Sequence, residues 1–144
     1  MNILLTGGSG MVGQNIIHSH HFKDYNLYSP SSEELDLLNK DSINQFLKNN
    51  KIDFIIHAAG IVGGIKVNIK YPVKTLYENL LMGFNLIIEA KNFGIKNFLN
   101  IGSSCMYPRG FKHSIREENL LSGFLEPTNE GFAIAKISTA KLCE

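Results

Sequence analysis

A glycine-rich stretch near the N-terminus limits the fold of this chain more than any other segment. It reads Thr6-Gly7-Gly8-Ser9-Gly10-Met11-Val12-Gly13 and directly follows the apolar run Ile3-Leu4-Leu5. The apolar residues after it, Val12, Ile16 and Ile17, have helical spacing. This order predicts a strand that turns through glycines into a helix. The free N–H groups and the dipole at such a helix start attract a pyrophosphate, so the stretch predicts a dinucleotide site.

Three glycines have separate expected roles in that turn. Gly7 allows the tight turn, Gly10 lets phosphates approach the backbone, and Gly13 lets the helix pack close to the strand. The spacing Gly-x-x-Gly-x-x-Gly has one more residue in its first gap than the usual dinucleotide fingerprint. The alternative is a tight turn with a structural role only, and the position between a strand and a helix favours nucleotide binding.

The composition excludes several classes of protein. With 44% hydrophobic and 19% charged residues among 144, the chain is typical of one soluble globular domain. The net charge of +1 gives no reason to expect nucleic acid or a membrane surface as a partner. Two cysteines are too few for a disulfide framework, and no apolar stretch approaches about 20 residues. We therefore expect a soluble, cytoplasmic protein.

Alternating strand and helix patterns predict an α/β fold with a doubly wound parallel sheet. The predicted strands are Asn2–Thr6, Asn26–Tyr28, Ile52–Ala58 and Asn97–Ile101, with a further short strand near Leu35–Leu38. Four helices are predicted, and the first and last are Met11–His20 and Thr128–Glu144. The second is capped by Asp41 and has Ile43, Phe46 and Leu47 on one face. The third is a long helix from Pro72 to Gly94, and its predicted inner face includes Val73, Leu76, Leu80 and Phe84.

The C-terminal residues carry no helix stop signal. Ala140-Lys141-Leu142-Cys143-Glu144 contains no glycine or proline, and a doubly wound sheet continues with a further strand after such a helix. We therefore expect residues 1–144 to be a dinucleotide-binding domain that is incomplete at its C-terminus, truncated before its last strands and a substrate domain. A frayed terminal helix is the alternative.

Residues capable of chemistry follow the predicted strands. Ligands of open parallel sheets lie beyond the carboxyl ends of the strands, and Gly102-Ser103-Ser104-Cys105 follows the last one. Its hydroxyls can hydrogen-bond a carbonyl, and its thiol can exchange a proton. Lys136 lies one helical turn beyond Phe132 on the same face. By itself, the segment Gly102-Ser103-Ser104-Cys105 is more typical of a serine-glycine turn with a buried cysteine.

The chain resembles the extended short-chain dehydrogenase/reductases, and among them the GDP-L-fucose synthase family of GDP-4-keto-6-deoxy-mannose 3,5-epimerase/4-reductases. The resemblance covers essentially the whole chain in the family's order. The matching stretches are Gly10-Met11-Val12-Gly13, Val62-Gly63-Gly64-Ile65, Gly102-Ser103-Ser104-Cys105, Leu125-Glu126-Pro127-Thr128-Asn129-Glu130, Ala133-Ile134-Ala135-Lys136 and Lys141-Leu142-Cys143-Glu144.

This resemblance implies a Rossmann-like fold, NADP(H) as the cofactor, a GDP-sugar substrate and a homodimer paired through the helices Pro72–Phe93 and Thr128–Glu144. It implies that Ser103 hydrogen-bonds the C4 ketone, that Lys136 lowers the pKa of a catalytic tyrosine, and that Cys105 is the base in epimerisation at C3 and C5. The cofactor-binding residues that it implies are Gly7, Gly10, Met11, Val12, Gly13, Ala58, Ala59, Asn79 and Lys136. No metal is expected, because His18, His20 and His21 lack carboxylates or cysteines at ligand spacing.

Three departures from the family's pattern leave several functions open. The tyrosine position holds Phe132, and loss of a positioned general acid commonly slows a reaction about 10²–10⁴-fold. Ser9 stands where an arginine for the 2′-phosphate is expected, so NADP(H) would depend on serine hydroxyls, including Ser29, Ser31 and Ser32. The family's acid histidine and its substrate-gripping domain would lie beyond residue 144. The alternatives are a relative acting on a GDP-heptose or another 4-keto nucleotide sugar, and a catalytically inactive cofactor-binding fragment.

Overall fold

The computed structural model describes residues 1–110 and 112–144. Among these residues, four strands alternate with helices. The elements are β1 (Asn2–Thr6), α1 (Met11–Ile17), β2 (Asn26–Tyr28), α2 (Lys40–Asn49), β3 (Phe54–His57), α3 (Gly64–Lys70), α4 (Pro72–Asn92), β4 (Asn97–Asn100) and α5 (Glu130–Cys143), with short 3₁₀ turns at His20–Phe22, Ser104–Met106 and Glu117–Asn119.

The strands form one parallel sheet in the order β2-β1-β3-β4. In its centre, Leu4 of β1 is in register with Tyr28 of β2 and Ile55 of β3. Parallel neighbours require crossover connections, which the intervening helical segments provide. The predicted α/β class with a parallel, Rossmann-like sheet is therefore confirmed.

The chain divides into two compact units. The first comprises Met1–Gly60 and Leu81–Ile101 with Cys143, and the second comprises Ile61–Leu80 and Gly102–Leu142 with Glu144. The first unit contains the whole sheet, and the sheet is buried on both faces. On one face Leu4 and Ile55 pack with Ile43 and Leu86. On the other face Ile3, Leu5 and Ile56 pack together. Burial on both faces explains why these strands read as continuous apolar runs.

The second unit contains α3, the first part of α4, and α5. A Cβ atom placed on Gly131 would lie 3.3 Å from the carbonyl oxygen of Pro72 and 3.4 Å from Cβ of Leu76. The start of α5 therefore lies directly against the first turns of α4. Asn68 of α3 donates a hydrogen bond of 2.8 Å to the side-chain oxygen of Asn129, the residue that precedes α5.

The predicted strand near Leu35–Leu38 is wrong. Leu35 and Leu37 are buried in the core, but the segment is a series of turns. Its backbone groups bond to side chains: the Ser42 hydroxyl accepts from Asp36 N–H, and the Asn85 amide donates to the carbonyls of Leu37 and Leu38. Because side chains satisfy these groups, the segment needs no neighbouring strand.

The prediction of which residues form the inner face of α4 is also partly wrong, because Val73 and Phe84 are exposed. Its buried positions include the polar residues Thr75, Asn79 and Asn85. Three predicted helices also differ at their ends. α1 ends at Ile17 rather than His20, and α5 is Glu130–Cys143 rather than Thr128–Glu144. α2 is capped by Asn39 rather than Asp41, because the Asn39 side chain accepts from the N–H groups of Asp41 and Ser42.

Candidate cofactor and catalytic residues

The glycine turn between β1 and α1 is built from close backbone contacts. Gly7 has a φ of +74°, and a Cβ atom there would lie 2.5 Å from the Ala59 nitrogen. A Cβ atom at Gly13 would lie 2.3 Å from the Gly7 carbonyl oxygen. Only glycine fits both positions, because one needs a left-handed conformation and both lie against backbone. Gly7 and Gly13 therefore have the turn and packing roles expected of them.

The N-terminus of α1 faces outward from this turn. Gly10 is its N-cap residue, and no side chain caps the first N–H groups of the helix. The next residue, Met11, is 81% exposed, and Val12 is exposed as well. These N–H groups carry the positive end of the helix dipole and suit an anionic group.

A buried polar contact supports the loop that packs on Gly7. The Thr6 hydroxyl lies 2.8 Å from Nδ1 of His57 and accepts a hydrogen bond of 3.4 Å from the Ala59 N–H. The Ala58 N–H donates to the Thr6 carbonyl at 3.2 Å. His57 is thus a buried structural residue, and Ala58 and Ala59 are held beside the glycine turn.

The serines after β2 differ in their surroundings. A Cβ atom on Gly8 would lie 1.8 Å from Oγ of Ser29, so the Ser29 hydroxyl lies against the glycine turn. Ser31 is engaged with Glu34: its N–H donates to the Glu34 carboxylate at 2.8 Å, and its hydroxyl accepts from the Glu34 N–H. The hydrogen bond from the Ser31 backbone, followed by one from the Ser31 side chain, lowers the pKa of the Glu34 carboxyl.

In the second unit, Ser103 and Cys105 lie together in the segment after β4. The Ser103 hydroxyl accepts a hydrogen bond of 3.3 Å from the Cys105 N–H, which caps the 3₁₀ turn Ser104–Met106. Both side chains are half-buried. The catalytic roles predicted for these two residues stay predictions.

Phe132 and Lys136 lie on successive turns of α5, and each is only 8% exposed. Nζ of Lys136 lies 5.9 Å from the centre of the Phe132 ring. Burial lowers the pKa of the Lys136 ammonium, because a charged group loses hydration there. The lysine is thus close to the position where the family's tyrosine is expected, and that position has no hydroxyl.

Asn79 on α4 is occupied by backbone hydrogen bonds. Its Oδ1 accepts from the Ile61 N–H at 2.9 Å, and its Nδ2 donates to the carbonyls of Ile61 and Thr75 at 3.2 and 2.6 Å. The side chain therefore fixes the segment that begins at Ile61. Its predicted contact with the cofactor stays a prediction.

The sequence analysis did not predict an open cavity that lies in the segment after the 3₁₀ turn Ser104–Met106. The cavity measures about 480 Å³, and its lining includes Arg109, Lys112, His113 and Phe124. The basic residues of this loop are visible in the sequence, but His113 and Phe124 carry no periodic signal that connects them. Arg116, in the same basic stretch, is not part of the lining.

Two further findings concern the part of the chain that the structure describes. There, no group of three or more histidine, cysteine, aspartate or glutamate side chains is arranged to hold a metal ion. Among the same residues, no helix is both long and apolar enough to cross a bilayer.

Comparison with known proteins relates the whole chain to nucleotide-sugar enzymes. Residues 3–144 match the family model described as NAD dependent epimerase/dehydratase. The chain is 57% identical to the GDP-L-colitose synthase of Yersinia pseudotuberculosis over 144 residues, covering 100% of this chain and 47% of that protein. It is 42% identical to the GDP-L-fucose synthase of Sinorhizobium fredii, covering 99% of this chain and 45% of that one.

A solved structure gives the same relationship. The GDP-mannoheptose C4 reductase from Campylobacter jejuni, with NADP bound, superposes with a TM-score of 0.92 at 30% identity, covering 99% of this chain and 46% of that one. The chain thus spans less than half the length of the relatives it matches.

Proposed function

The chain belongs to the NAD dependent epimerase/dehydratase family, and we propose that it carries the dinucleotide-binding part of an NADP(H)-dependent enzyme that epimerises and reduces a GDP-4-keto-6-deoxy-hexose. The proposal covers residues 1–144 as that part, with the sugar-gripping residues outside it. GDP-sugars recur in the names of the similar proteins, which supports this substrate class. Synthesis of GDP-L-fucose is the leading reaction, and reduction of a GDP-heptose or another 4-keto nucleotide sugar is the alternative.

The observation that carries the proposal is the glycine turn. Side-chain atoms at Gly7 and Gly13 would collide with backbone, and the uncapped start of α1 after Gly10 leaves N–H groups for a pyrophosphate. These residues fit a dinucleotide. For the 2′-phosphate we propose the hydroxyls of Ser9 and Ser29 rather than Ser31, which is bonded to Glu34.

The proposed chemistry divides between hydride transfer and proton transfer. NADPH, when bound, supplies the hydride for C4 of the sugar. The Ser103 hydroxyl donates a hydrogen bond to the ketone oxygen, and the Lys136 ammonium favours negative charge developing on that oxygen. The Cys105 sulfur is the base that takes the protons from C3 and C5, which the adjacent ketone acidifies. The acid that returns a proton to the opposite face of each carbon is a residue outside 1–144.

Phe132 supports a second candidate function, cofactor binding without efficient reduction. A buried phenyl ring beside Lys136 offers no proton for the C4 oxygen. Loss of a positioned general acid commonly slows the reaction about 10²–10⁴-fold. In this case the chain would bind NADP(H) with little turnover.

We also propose that the chain forms a homodimer through α4. Val73, Tyr77, Phe84 and Ile88 are exposed and recur on one face of that helix. Exposed apolar stripes of this kind are typical of interfaces between subunits.

The proposed cofactor site is tested by fluorescence titration of the chain with NADPH, and with NADH in parallel. We expect saturable binding that is tighter for NADPH. The Gly10→Ala variant should bind NADPH at least about tenfold more weakly, because its methyl group keeps the phosphates from the N–H groups of α1 and weakens charge-assisted hydrogen bonds.

Gly94→Ala is the matched control, since Gly94 has a φ of +72° and a Cβ atom placed on it would have no neighbour within 4 Å. It should lower thermal stability and leave NADPH affinity unchanged. Unchanged affinity in Gly10→Ala, or no binding by the wild-type chain, would contradict the proposed site.

A further inference from the structure

We propose that Gln14 is a positioning residue that sets the choice of cofactor. It holds Ser9 where the Ser9 hydroxyl binds the 2′-phosphate of NADPH, and it thereby favours NADPH over NADH. The nucleotide and the role of Ser9 come from the proposed function, on which this inference rests, whereas the role of Gln14 is new. Ser9, Gln14 and Ser29 all belong to the first compact unit.

The Gln14 side chain is bonded to the backbone of the glycine turn. Its Nε2 donates a hydrogen bond of 2.7 Å to the carbonyl oxygen of Gly8, six positions earlier in the chain. The backbone N–H of Gln14 donates a hydrogen bond of 2.9 Å to the carbonyl oxygen of Gly10. Gln14 therefore holds the residues on both sides of Ser9, one through its side chain and the other through its backbone.

The Gly8 carbonyl determines the direction in which the chain enters Ser9. The peptide unit between the two residues is planar and trans, so its carbonyl and the Ser9 N–H point in opposite directions. Gly7, with a φ of +74°, and Gly8 both lack a Cβ atom, so this peptide unit can rotate at little cost. The hydrogen bond from Gln14 selects one orientation of the peptide unit and so fixes the position of Ser9.

Ser29, the residue after β2, lies against the same glycine. Its Oγ occupies the space that a Cβ atom on Gly8 would need, at 1.8 Å from that position. Gly8 itself is buried, whereas Ser9 and Ser29 are exposed. Two exposed hydroxyl-bearing residues thus flank one buried glycine, and each hydroxyl can donate a hydrogen bond to a phosphate oxygen.

The position of Ser9 matters because a hydroxyl is a neutral donor. A cation attracts a phosphate over several ångströms, but a hydroxyl binds it only at about 2.5–3.0 Å and with good alignment. Rotation of the peptide unit between Gly8 and Ser9 would move the hydroxyl out of that range. NADH lacks the 2′-phosphate, so its affinity does not depend on this hydroxyl. Loss of the Gln14 bond therefore changes the ratio of the two affinities.

The test is fluorescence titration of the whole chain with NADPH and with NADH. Gln14→Met keeps the length of the side chain but removes the donor. It should lower the affinity for NADPH relative to NADH by about two- to tenfold, which corresponds to the net contribution of one hydrogen bond. Ser9→Ala should lower the same ratio, and adding Gln14→Met to Ser9→Ala should change it no further, because Gln14 acts through Ser9.

A second measurement needs no nucleotide. In NMR relaxation of the nucleotide-free chain, the Ser9 amide should have a lower order parameter in Gln14→Met than in the wild type, because the peptide unit is no longer fixed. Asn15→Leu is the matched control, since Asn15 is the next residue on α1 and its Nδ2 donates within the helix to the Met11 carbonyl at 2.8 Å. This control should keep both affinities and the order parameter of Ser9.

An unchanged affinity ratio in Gln14→Met, whether or not both affinities fall together, would overturn this inference and leave the proposed function standing. The same holds for an equal drop of the ratio in the Ser9→Ala background, or for an unchanged Ser9 order parameter in Gln14→Met. If the wild-type chain binds neither dinucleotide, the proposed cofactor function is overturned and the role of Gln14 falls with it.

Discussion

Lys136 is held in a buried position on α5 beside an aromatic ring that lacks a hydroxyl. The lowered pKa of its ammonium group follows from burial, and the ring of Phe132 lies 5.9 Å from Nζ. A cation at this distance favours ionisation of any acid placed on the ring. Tyrosine differs from Phe132 by one hydroxyl oxygen, and Lys136 would lower the pKa of a tyrosine hydroxyl at this position.

Phe132→Tyr restores a hydroxyl beside Lys136. When the variant is made in a full-length enzyme, we expect NADPH oxidation with GDP-4-keto-6-deoxy-mannose to rise about 10²–10⁴-fold, because the new hydroxyl protonates the C4 oxygen. Absorbance titration should also give the introduced phenol a lower pKa than in Phe132→Tyr/Lys136→Met. Phe93→Tyr, at an exposed position just after α4, serves as control and should leave the oxidation rate unchanged. Equal phenol pKa values with and without the lysine would show that the charge of Lys136 does not reach this position.

At the scale of single elements, α4 shows how a polar residue can hold the core together. Asn85 is 4% exposed and donates to the carbonyls of Leu37 and Leu38 at 3.1 and 3.3 Å. These two carbonyls belong to the turn that hydropathy predicts as a strand. The helix thus supplies the hydrogen bonds that a neighbouring strand would otherwise make.

We predict that Asn85→Ala destabilises the fold by about 1–3 kcal/mol, because it takes this donor away from the buried carbonyl of Leu37. Asn49→Ala on the exposed face of α2 is the control and should have little effect on stability, or raise it slightly through better helix propensity. Urea unfolding of both variants measures the difference. Similar unfolding free energies for the two variants would mean that the Asn85 hydrogen bonds contribute nothing net.

At the scale of the whole molecule, the exposed apolar side chains of α4 need an explanation beyond the monomer. Val73 and Tyr77 are more than half exposed, and Phe84 and Ile88 continue the same face. A cluster of this kind on a helix favours burial against a second copy.

We predict that the chain sediments as a dimer at micromolar concentration and that Tyr77→Arg shifts it toward the monomer, because each interface would then contain two buried charges. Met11→Arg changes an apolar residue that is even more exposed but lies on α1, and it should leave the sedimentation coefficient unchanged. A Tyr77→Arg variant that sediments like the wild type would exclude this face of α4 as the interface.

Local signals in the sequence were sufficient for the parallel α/β fold, the glycine turn and the neighbouring Ser103 and Cys105. Each depends on residues close together in the chain: a glycine run after an apolar strand, or a hydroxyl two positions from a thiol. The turn at Leu35–Leu38, the polar inner face of α4 and the cavity beside Phe124 were decided only in the tertiary structure. There the donors come from distant residues, such as Asn85 to Leu37 and Arg109 to Phe124. Hydropathy cannot identify a buried polar side chain whose partner is a backbone carbonyl elsewhere in the fold, because burial is favourable only once that hydrogen bond forms.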